Sequence, residues 1–359
     1  MYIKKLSLFN FRNYNLETAE FAKGLNIICG KNAQGKTNLL EAIYFSSIGR
    51  SPRIKKDKDL IKFDTEKSQT ALTYVTKKGE KEIKIILSRN ENKKISLNGA
   101  GLTKISELIG EFNTVYFSPD ELKLIKDAPS DRRKFLDISL CQQSPVYFKL
   151  LSQYNTVLLN RNKLLKNDSN HKFLEILDVQ LAQFASKIII YRKDAINKLS
   201  PYAKQKHFAL SVNKEKLELS YQTISDKNEE TEVYEEILKY LKLNREKDIK
   251  LGYTTAGPHR DDIKITLNGI DVRIYGSQGQ QRTAALSLKL AETEMFRETS
   301  GEYPVLLLDD VLSELDLSRQ EILFEVIKNF QTVITATHLE KIPKYAFKTL
   351  TVENGKILR

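Results

Sequence analysis

The chain of 359 residues contains 41% hydrophobic and 29% charged residues, which is typical of a soluble globular protein with one large domain or two to three smaller ones. Cys29 and Cys141 are its only cysteines and give no disulfide framework or metal site. No apolar run approaches the ~20 residues of a membrane-spanning helix, so a cytoplasmic protein is expected. A net charge of +12 favours a polyanionic partner, although lysine is plentiful throughout.

The N-terminal part of the chain predicts strands around one helix. Residues 1–30 alternate loosely and end in a short apolar run, which indicates two or three strands. Residues 36–48 place their apolar side chains on one face of a helix. Residues 70–100 predict a β-meander, in which Asn98-Gly99 marks a hairpin turn.

The middle of the chain is predicted to be helical. A short strand at 114–118 leads into a helix opened by Pro119, and residues 130–200 carry apolar side chains at three- and four-residue steps. The pattern breaks at Ser200-Pro201. Because the run is too short and too interrupted for a long coiled coil, we expect a short antiparallel helical arm.

The rest of the chain predicts strands at 206–222 and a charged helix at 230–243, and from 250 onward strands and helices alternate. The predicted elements of this last part are a strand at 263–267, a helix at 278–297, a strand at 305–308, a helix at 318–329 and a buried strand at 332–337.

A glycine-rich loop lies between the first apolar run and the helix at 36–48. It reads Gly30-Lys31-Asn32-Ala33-Gln34-Gly35-Lys36-Thr37 and matches the G-x-x-x-x-G-K-[ST] pattern. Such a loop wraps backbone N–H groups around the β-phosphate of ATP, and the helix that follows points its positive end at the same charge. We expect Lys36 to neutralise phosphate oxygens and the Thr37 hydroxyl to coordinate Mg²⁺.

Two acids follow an apolar strand near the other end of the chain. We expect Asp309 to hold Mg²⁺ and Asp310 to orient or activate a water molecule. Upstream, Ser277-Gln278-Gly279-Gln280-Gln281 opens a predicted helix and offers a hydroxyl and free N–H groups to a second anion. The phosphate loop and the acids are too far apart for a small NTPase domain of ~150 residues, so a segment is inserted between them.

The order of these motifs resembles the head of ATP-binding-cassette ATPases. The resemblance implies an α/β fold, with a mixed sheet and a phosphate-loop core, into which a helical arm is inserted. We expect residues 1–130 and 251–359 to form the head and 131–250 the arm. It also implies an ATP-dependent homodimer, in which the signature stretch of one copy, with Ser277, Gly279 and Gln280, closes on the nucleotide of the other.

The resemblance extends to two further nucleotide-site residues. It implies a nucleotide contact by Arg12, and it places His338, after the last predicted strand, at the position of a γ-phosphate sensor. Cassette ATPases also carry a glutamine that links Mg²⁺ to the arm, for which Asp120 is the candidate here.

Within this class the chain is similar to the RecF family along nearly its whole length. The segments that carry the similarity include LFNFRNY at 8–14, GKNAQGKTN at 30–38, FSPDEL at 117–122, RRKFLD at 132–137, GPHRDD at 257–262, SQGQQR at 277–282 and LDDVLSELD at 308–316. The similarity implies a nucleoid-associated recombination mediator that acts on gapped DNA and works with RecR and RecO in loading RecA. Asp310, a methylene shorter than the glutamate usual in the class, predicts slow hydrolysis suited to a switch.

Basic residues are the candidates for DNA binding. One group contains Arg50, Arg53, Lys55 and Lys56, and another is Arg132-Arg133-Lys134. Aromatic residues are not interleaved with them, which favours contacts to the backbone of duplex DNA over stacking on single strands. His259-Arg260, in contrast, is interpreted as part of a structural turn rather than a catalytic or metal cluster.

Two other functions fit part of the pattern. The energy-coupling subunit of a membrane transporter would need both nucleotide motifs within a compact head of ~150 residues and a membrane partner. An ATPase fused to a nuclease, as in overcoming-lysogenization-type proteins, would need an acidic nuclease domain after the ATPase. The helical insertion and the basic charge favour the DNA-repair ATPase over both.

Overall fold

The computed structural model describes residues 1–167, 171–337 and 347–358. The strands are β1 (Tyr2–Phe11), β2 (Tyr14–Glu20), β3 (Leu25–Cys29), β4 (Lys67–Thr76), β5 (Gly79–Ser88), β6 (Lys94–Leu97), β7 (Ala100–Leu102), β8 (Thr114–Phe117), β9 (Leu217–Gln222), β10 (Asp262–Leu267), β11 (Ile270–Asp271), β12 (Val305–Leu308), β13 (Thr332–Ala336), β14 (Phe347–Glu353) and β15 (Lys356–Leu358). The α-helices are α1 (Lys36–Ile48), α2 (Lys123–Lys126), α3 (Pro129–Gln143), α4 (Pro145–Asn167), α5 (His171–Leu210), α6 (Glu230–Leu243), α7 (Arg245–Leu251), α8 (Val272–Tyr275), α9 (Gln278–Ser300) and α10 (Leu317–Ile327).

The chain divides into two compact units, each built from more than one segment. The first unit contains Met1–Glu121, Lys206–Lys214 and Leu286–Arg359, and the second contains Leu122–Gln205 and Glu215–Ala285. The boundaries at 130 and 250 remain a prediction from the sequence.

The first unit contains a six-stranded antiparallel sheet with the strand order β2-β1-β4-β5-β6-β7. Its strands alternate in burial: in β4, Ser68, Thr70, Leu72 and Tyr74 face inward. This alternation is the pattern of a sheet with one covered face. The predicted β-meander is confirmed, and Asn98 and Gly99 take the positive φ values of 50° and 83° that a two-residue hairpin turn requires.

A second six-stranded sheet of the same unit has the order β15-β14-β3-β13-β12-β8 and is parallel except at β15. Its central strands are mostly apolar and buried because both faces are covered, and β12, Val305–Leu308, is apolar and buried throughout. Since parallel strands end at the same edge, the phosphate loop after β3 and the acids after β12 come to one edge of the sheet.

The second unit contains the three-stranded sheet β11-β10-β9, the helices α2 to α4 and α6 to α8, helix α5 as far as Gln205, and the start of α9 as far as Ala285. Its interior holds charged side chains that are paired. Arg161 is fully buried and donates from Nε to Asp178 Oδ1 and from Nη1 to Asp248 Oδ2, both at 2.7 Å. Buried charges are tolerated only when paired and hydrogen-bonded, so these contacts fix how the helices that carry them pack.

His259 also has the surroundings of a structural residue, as the sequence analysis expects. Its Nε2 donates to the Thr254 carbonyl oxygen at 3.1 Å, which leaves Nδ1 to accept from the Tyr154 hydroxyl at 2.5 Å. Burial, reinforced by Arg260 and Arg133, lowers the pKa of His259 to about 4, so the ring is neutral.

The structure corrects two predictions in the middle of the chain. Helix α5 does not break at Ser200-Pro201 but continues to Leu210 with Pro201 inside it, and the strand expected from 206 begins only at Leu217. Leu199 and Ala203 are fully buried on either side of the proline. This burial outweighs the single backbone hydrogen bond that a proline removes. Among the described helices, none combines the length and apolarity needed to cross a bilayer.

Candidate functional site

The phosphate loop joins the carboxyl end of β3 to the N-terminus of α1. Gly35 caps the helix with a φ of +122°, a conformation that L side chains rarely adopt. A Cβ atom there would lie 2.8 Å from Asn13 Nδ2, so this position needs glycine for space as well. The Lys36 ammonium donates to the carbonyl oxygens of Gly30 at 2.6 Å and Lys31 at 3.0 Å, which keeps it over the loop.

The structure brings the two predicted Mg²⁺ ligands together. Thr37 Oγ1 lies 3.0 Å from Asp309 Oδ1, although the residues are 272 positions apart. Thr335 donates to the same Oδ1 at 2.7 Å, and its oxygen accepts the backbone N–H of Asp310 at 2.8 Å. Sequence analysis missed Thr335, whose only signal is a hydroxyl within the apolar strand β13.

Asp309 lies in a buried environment that disfavours the charged form of its carboxyl group. Burial raises its pKa, and the hydroxyls of Thr335 and Thr37 counteract this by donating to the carboxylate. Hard oxygen donors of this kind are the ligands that Mg²⁺ prefers. Thr37 and Asp309 therefore fit such an ion.

The other two predicted site acids are more exposed than Asp309. Asp310 is exposed and has a φ of +53°, so its side chain leaves the strand direction. Asp120 is exposed in the 3₁₀ turn Pro119–Leu122. His338 lies outside the described residues.

An open cleft of about 370 Å³ lies beside these groups. Its lining comprises Asn32, Ala33, Gly35, Lys36, Thr37, Asn38, Arg53, Asp309, Asp310 and Thr335. Besides Thr335, two of them were not expected there: Asn38, directly after the loop motif, and Arg53, which was a candidate DNA contact. Arg53 Nη1 donates to Asn38 Oδ1 at 3.2 Å. The Arg53 side chain is 42% exposed and lines the cleft, so its charge is accessible there.

Arg12, the predicted nucleotide contact, is held by a carboxylate. Its guanidinium donates through Nε and Nη2 to the two oxygens of the fully buried Glu41, both at 2.8 Å. Glu41 also lies 3.6 Å from Arg53. Among the described residues, Arg12 is not one that lines the cleft. Glu41 links it to Arg53, which does line the cleft.

The signature stretch begins helix α9 in the second unit. Gln280 N–H donates to Ser277 Oγ at 3.2 Å, while Gln280 Oε1 accepts the Ser277 N–H at 2.8 Å. This reciprocal pair is a capping box, which fixes the residue at which the helix begins. Ser277 and Gly279 are exposed. The serine proton and the first helix N–H groups therefore face solvent.

The basic stretches differ in accessibility. Arg50, Lys55 and Lys56 are exposed in the loop after α1. In the other stretch Arg132 is buried and forms a bidentate pair with Asp262, at 2.6 and 3.0 Å. The expectation that Arg132 lies on a DNA-binding surface is wrong because its charge is neutralised inside the second unit.

Comparisons with known proteins agree with this geometry. The sequence profile of the RecF/RecN/SMC N terminal domain family matches residues 2–356. The chain is 48% identical over 367 residues to the DNA replication and repair protein RecF of Clostridium botulinum strain Okra, and 45% identical over 365 residues to RecF of Clostridium tetani. Both alignments cover 100% of each chain.

Solved structures give the same result. The chain superposes on the recombination mediator protein RecF in its ATP form with a TM-score of 0.92 and 40% identity, over 99% of this chain and 96% of the other. An Smc head bound to the C-winged helix domain of ScpA matches with a TM-score of 0.62 and 18% identity, which shows the fold alone, over 100% of this chain and 97% of the other. The predicted cassette-type ATPase head fold is confirmed, and the chain belongs to the RecF family of DNA replication and repair proteins.

Proposed function

We propose that this protein is an ATP-dependent, DNA-binding recombination mediator that binds ATP and Mg²⁺ in the cleft beside the phosphate loop. The observation that carries the proposal is the 3.0 Å contact between Thr37 Oγ1 and Asp309 Oδ1. It joins the phosphate loop to the acid after β12, which is the pairing a magnesium nucleotide requires. The ATP form of the related RecF structure supports the choice of nucleotide.

In this proposal the loop holds the triphosphate of ATP. Residues 30–37 offer backbone N–H groups, and the Lys36 ammonium moves from the carbonyls of Gly30 and Lys31 to phosphate oxygens. Thr37 and Asp309 hold Mg²⁺, which, when bound, supplies charge neutralisation at the phosphates. Arg12, which Glu41 holds beside the cleft, contacts the nucleotide.

Hydrolysis depends on the residues beyond Asp309. Asp310 orients the attacking water and accepts its proton, and His338 senses the γ-phosphate. An aspartate is one methylene shorter than a glutamate, and a misplacement of about 1 Å can slow a reaction ~100-fold. Slow turnover makes the enzyme a weak ATPase that acts as a switch rather than a motor.

ATP binding joins two copies of the chain head to head. The exposed start of α9, with Ser277, Gly279 and Gln280, supplies a hydroxyl and helix N–H groups to the γ-phosphate held by the other copy. The capping box positions the serine in advance, so the hydroxyl is ordered before the copies meet.

The closed dimer binds duplex DNA at a gap, and hydrolysis releases it. The net charge of +12 and the exposed Arg50, Lys55 and Lys56 support binding to the phosphate backbone. The related RecF structures are assigned to the RecFOR pathway. We therefore propose RecR as the direct partner, with RecO and RecA acting later, in a cytoplasmic, nucleoid-associated process without a membrane partner.

Mass measurement by analytical ultracentrifugation tests the proposal. The wild-type chain should sediment as a monomer with ADP and as a dimer with Mg²⁺ and a slowly hydrolysed ATP analogue. Lys36→Met should lose nucleotide binding and dimerisation together. Ser277→Arg should still bind nucleotide but stay monomeric. A Ser277→Arg variant that dimerises as the wild type does would exclude the shared site.

A further inference from the structure

The phosphate loop is held by two hairpin turns that lie far from it in sequence. Asn13 Nδ2 and the Gly355 N–H both donate to the Gln34 carbonyl oxygen, at 2.9 and 3.0 Å. The Tyr14 hydroxyl donates to the next carbonyl oxygen, that of Gly35, at 3.0 Å. Three donors from the β1–β2 and β14–β15 turns thus hold two consecutive peptide groups of the loop.

These bonds determine where the N–H groups of the loop point. In a trans peptide the C=O and the following N–H point in opposite directions, and the described chain has no cis peptide. Holding the Gln34 carbonyl turns the Gly35 N–H away from Asn13. The Gly35 carbonyl accepts from both the Tyr14 hydroxyl and, at 3.1 Å, the Leu39 N–H, which turns the Lys36 N–H away from Tyr14. Gly35 and Lys36 line the cleft, so the two amides are directed into it.

The donors themselves are fixed. Asn13 Oδ1 accepts from Asn38 Nδ2 at 2.9 Å, which sets the orientation of the Asn13 amide. The Asn354 N–H donates to Gln34 Oε1 at 2.6 Å, so both the carbonyl and the side chain of Gln34 are held. Tyr14 is fully buried, and this burial raises the pKa of its hydroxyl, with a smaller effect from Glu17. The hydroxyl therefore keeps its proton and remains a donor.

The backbone is closely packed around the turns. Gly355 has a φ of +71°, and a Cβ atom there would lie 2.3 Å from the Asn13 carbonyl oxygen. At the other end of the loop a Cβ on Gly30 would lie 2.3 Å from the Val352 carbonyl oxygen. Backbone therefore lies directly on backbone between the two turns and between β14 and the first residue of the loop. Movement of the β14–β15 hairpin must move the loop, because the Gly355 N–H is also bonded to Gln34.

We infer that Asn13, Tyr14 and the Asn354-Gly355 turn are positioning residues for nucleotide binding, which aim the amides of the phosphate loop without touching the nucleotide. The inference rests on the proposed function, because it concerns the same cleft. It assigns the C-terminal β14–β15 hairpin, which carries none of the phosphate-binding groups, a part in the affinity for ATP.

The test is the dissociation constant of the full-length protein for fluorescent ATP and ADP analogues. Tyr14→Phe removes one donor and should weaken binding about 3- to 10-fold, the range of one neutral hydrogen bond. Asn13→Asp keeps the acceptor for Asn38 but sets an oxygen against the Gln34 carbonyl, so about a 10-fold loss or more is expected. ATP and ADP should be affected alike, because they share the phosphates that the loop amides bind.

Gly355→Ala has a matched control elsewhere in the first unit. Gly99 follows an asparagine in a hairpin turn, as Gly355 does, and its φ is +83°, but a Cβ there would meet nothing within 4 Å. Both substitutions strain the backbone in the same way, and only Gly355→Ala forces the hairpin away from Asn13. Gly355→Ala should weaken nucleotide binding several-fold, whereas Gly99→Ala should bind as the wild type does.

The outcomes separate this inference from the proposed function. A purely structural role would lower the melting temperature of the three variants but leave their dissociation constants unchanged at a temperature where they are folded, and that result would overturn the inference. If Lys36→Met abolished binding in the same assay, the proposed ATP site would survive. If the wild type bound no nucleotide, both would fail. Tyr14→Phe removes a single oxygen atom, so it keeps the test valid should Gly355→Ala not fold.

Discussion

Asp309, the proposed Mg²⁺ ligand, carries a cost in stability. Its carboxylate is 6% exposed and lies near the hydroxyl groups of Thr37 and Thr335, but no described residue forms an ion pair with it. A buried acid without a cation favours its protonated form, which agrees with the raised pKa. Functional residues are often retained at the expense of stability, and Asp309 has the features of such a residue.

Asp309→Asn should therefore stabilise the nucleotide-free protein while abolishing hydrolysis. Asparagine keeps the oxygen that accepts from Thr37 and Thr335 and removes the charge. Because the folded-state pKa of Asp309 is raised, the wild type loses stability as the pH rises through that pKa, and the variant does not. Its melting temperature should exceed that of the wild type by a few degrees at pH 8 and by less at an acidic pH below the raised pKa of Asp309.

The matched control is Asp310→Asn, the neighbouring acid, which is exposed. It should change the melting temperature little at either pH, because a solvated carboxylate carries no burial penalty. Equal melting curves for Asp309→Asn and the wild type at pH 8 would show that the buried charge of Asp309 does not destabilise the protein.

Among the elements, helix α5 carries an exposed proline in its interior. Pro201 cannot donate to the carbonyl of Asn197, and a proline inside a helix costs about 3 kcal/mol relative to alanine. Part of this cost in stability is offset, because proline also lowers the conformational entropy of the unfolded chain. Pro201→Ala should thus raise the free energy of unfolding by about 1–3 kcal/mol, measurable by urea denaturation.

Pro145 provides the comparison, since it is the first residue of α4 and also exposed. At a first helical position the missing N–H has no intrahelical partner to lose, so Pro145→Ala should give no gain. If both substitutions raised the free energy of unfolding equally, the gain would arise from the unfolded chain. That result would contradict an effect of the position of Pro201 inside the helix.

The elements also show what can be predicted from the sequence. Helix α1 begins and ends at the predicted residues, because its start is marked by the loop glycine and its end by Gly49 in the left-handed conformation. The loop motif and the acids after β12 were expected in one site, and the structure brings Thr37 and Asp309 together. Both results follow from local signals.

Long-range contacts outside the two nucleotide motifs gave no such signal. Nothing in a single sequence indicates that the Asn354 backbone N–H reaches Gln34 across 320 positions, or that Arg53 lines the cleft. Arg132 reads as a basic surface residue until Asp262 is found beside it. Such pairings depend on how the elements pack, which periodicity and composition do not specify.

For the whole molecule, the surplus of positive charge is the property that bears on DNA. A net charge of +12 attracts any polyanion, so binding alone would not identify a specific surface. The slope of affinity against salt is more informative, because each phosphate contact releases counterions and contributes about 0.9 to that slope. The loop after α1 can be tested in this way.

Replacing Arg50, Lys55 and Lys56 together by alanine should weaken binding to gapped duplex DNA in the presence of an ATP analogue. If all three side chains contact phosphates, the salt slope should fall by roughly 2 to 3. The control replaces Lys242, Lys247 and Lys250, exposed lysines of α6 and α7, and removes the same charge. An equal change of slope in both triple variants would mean that net charge, and not the loop after α1, governs DNA binding.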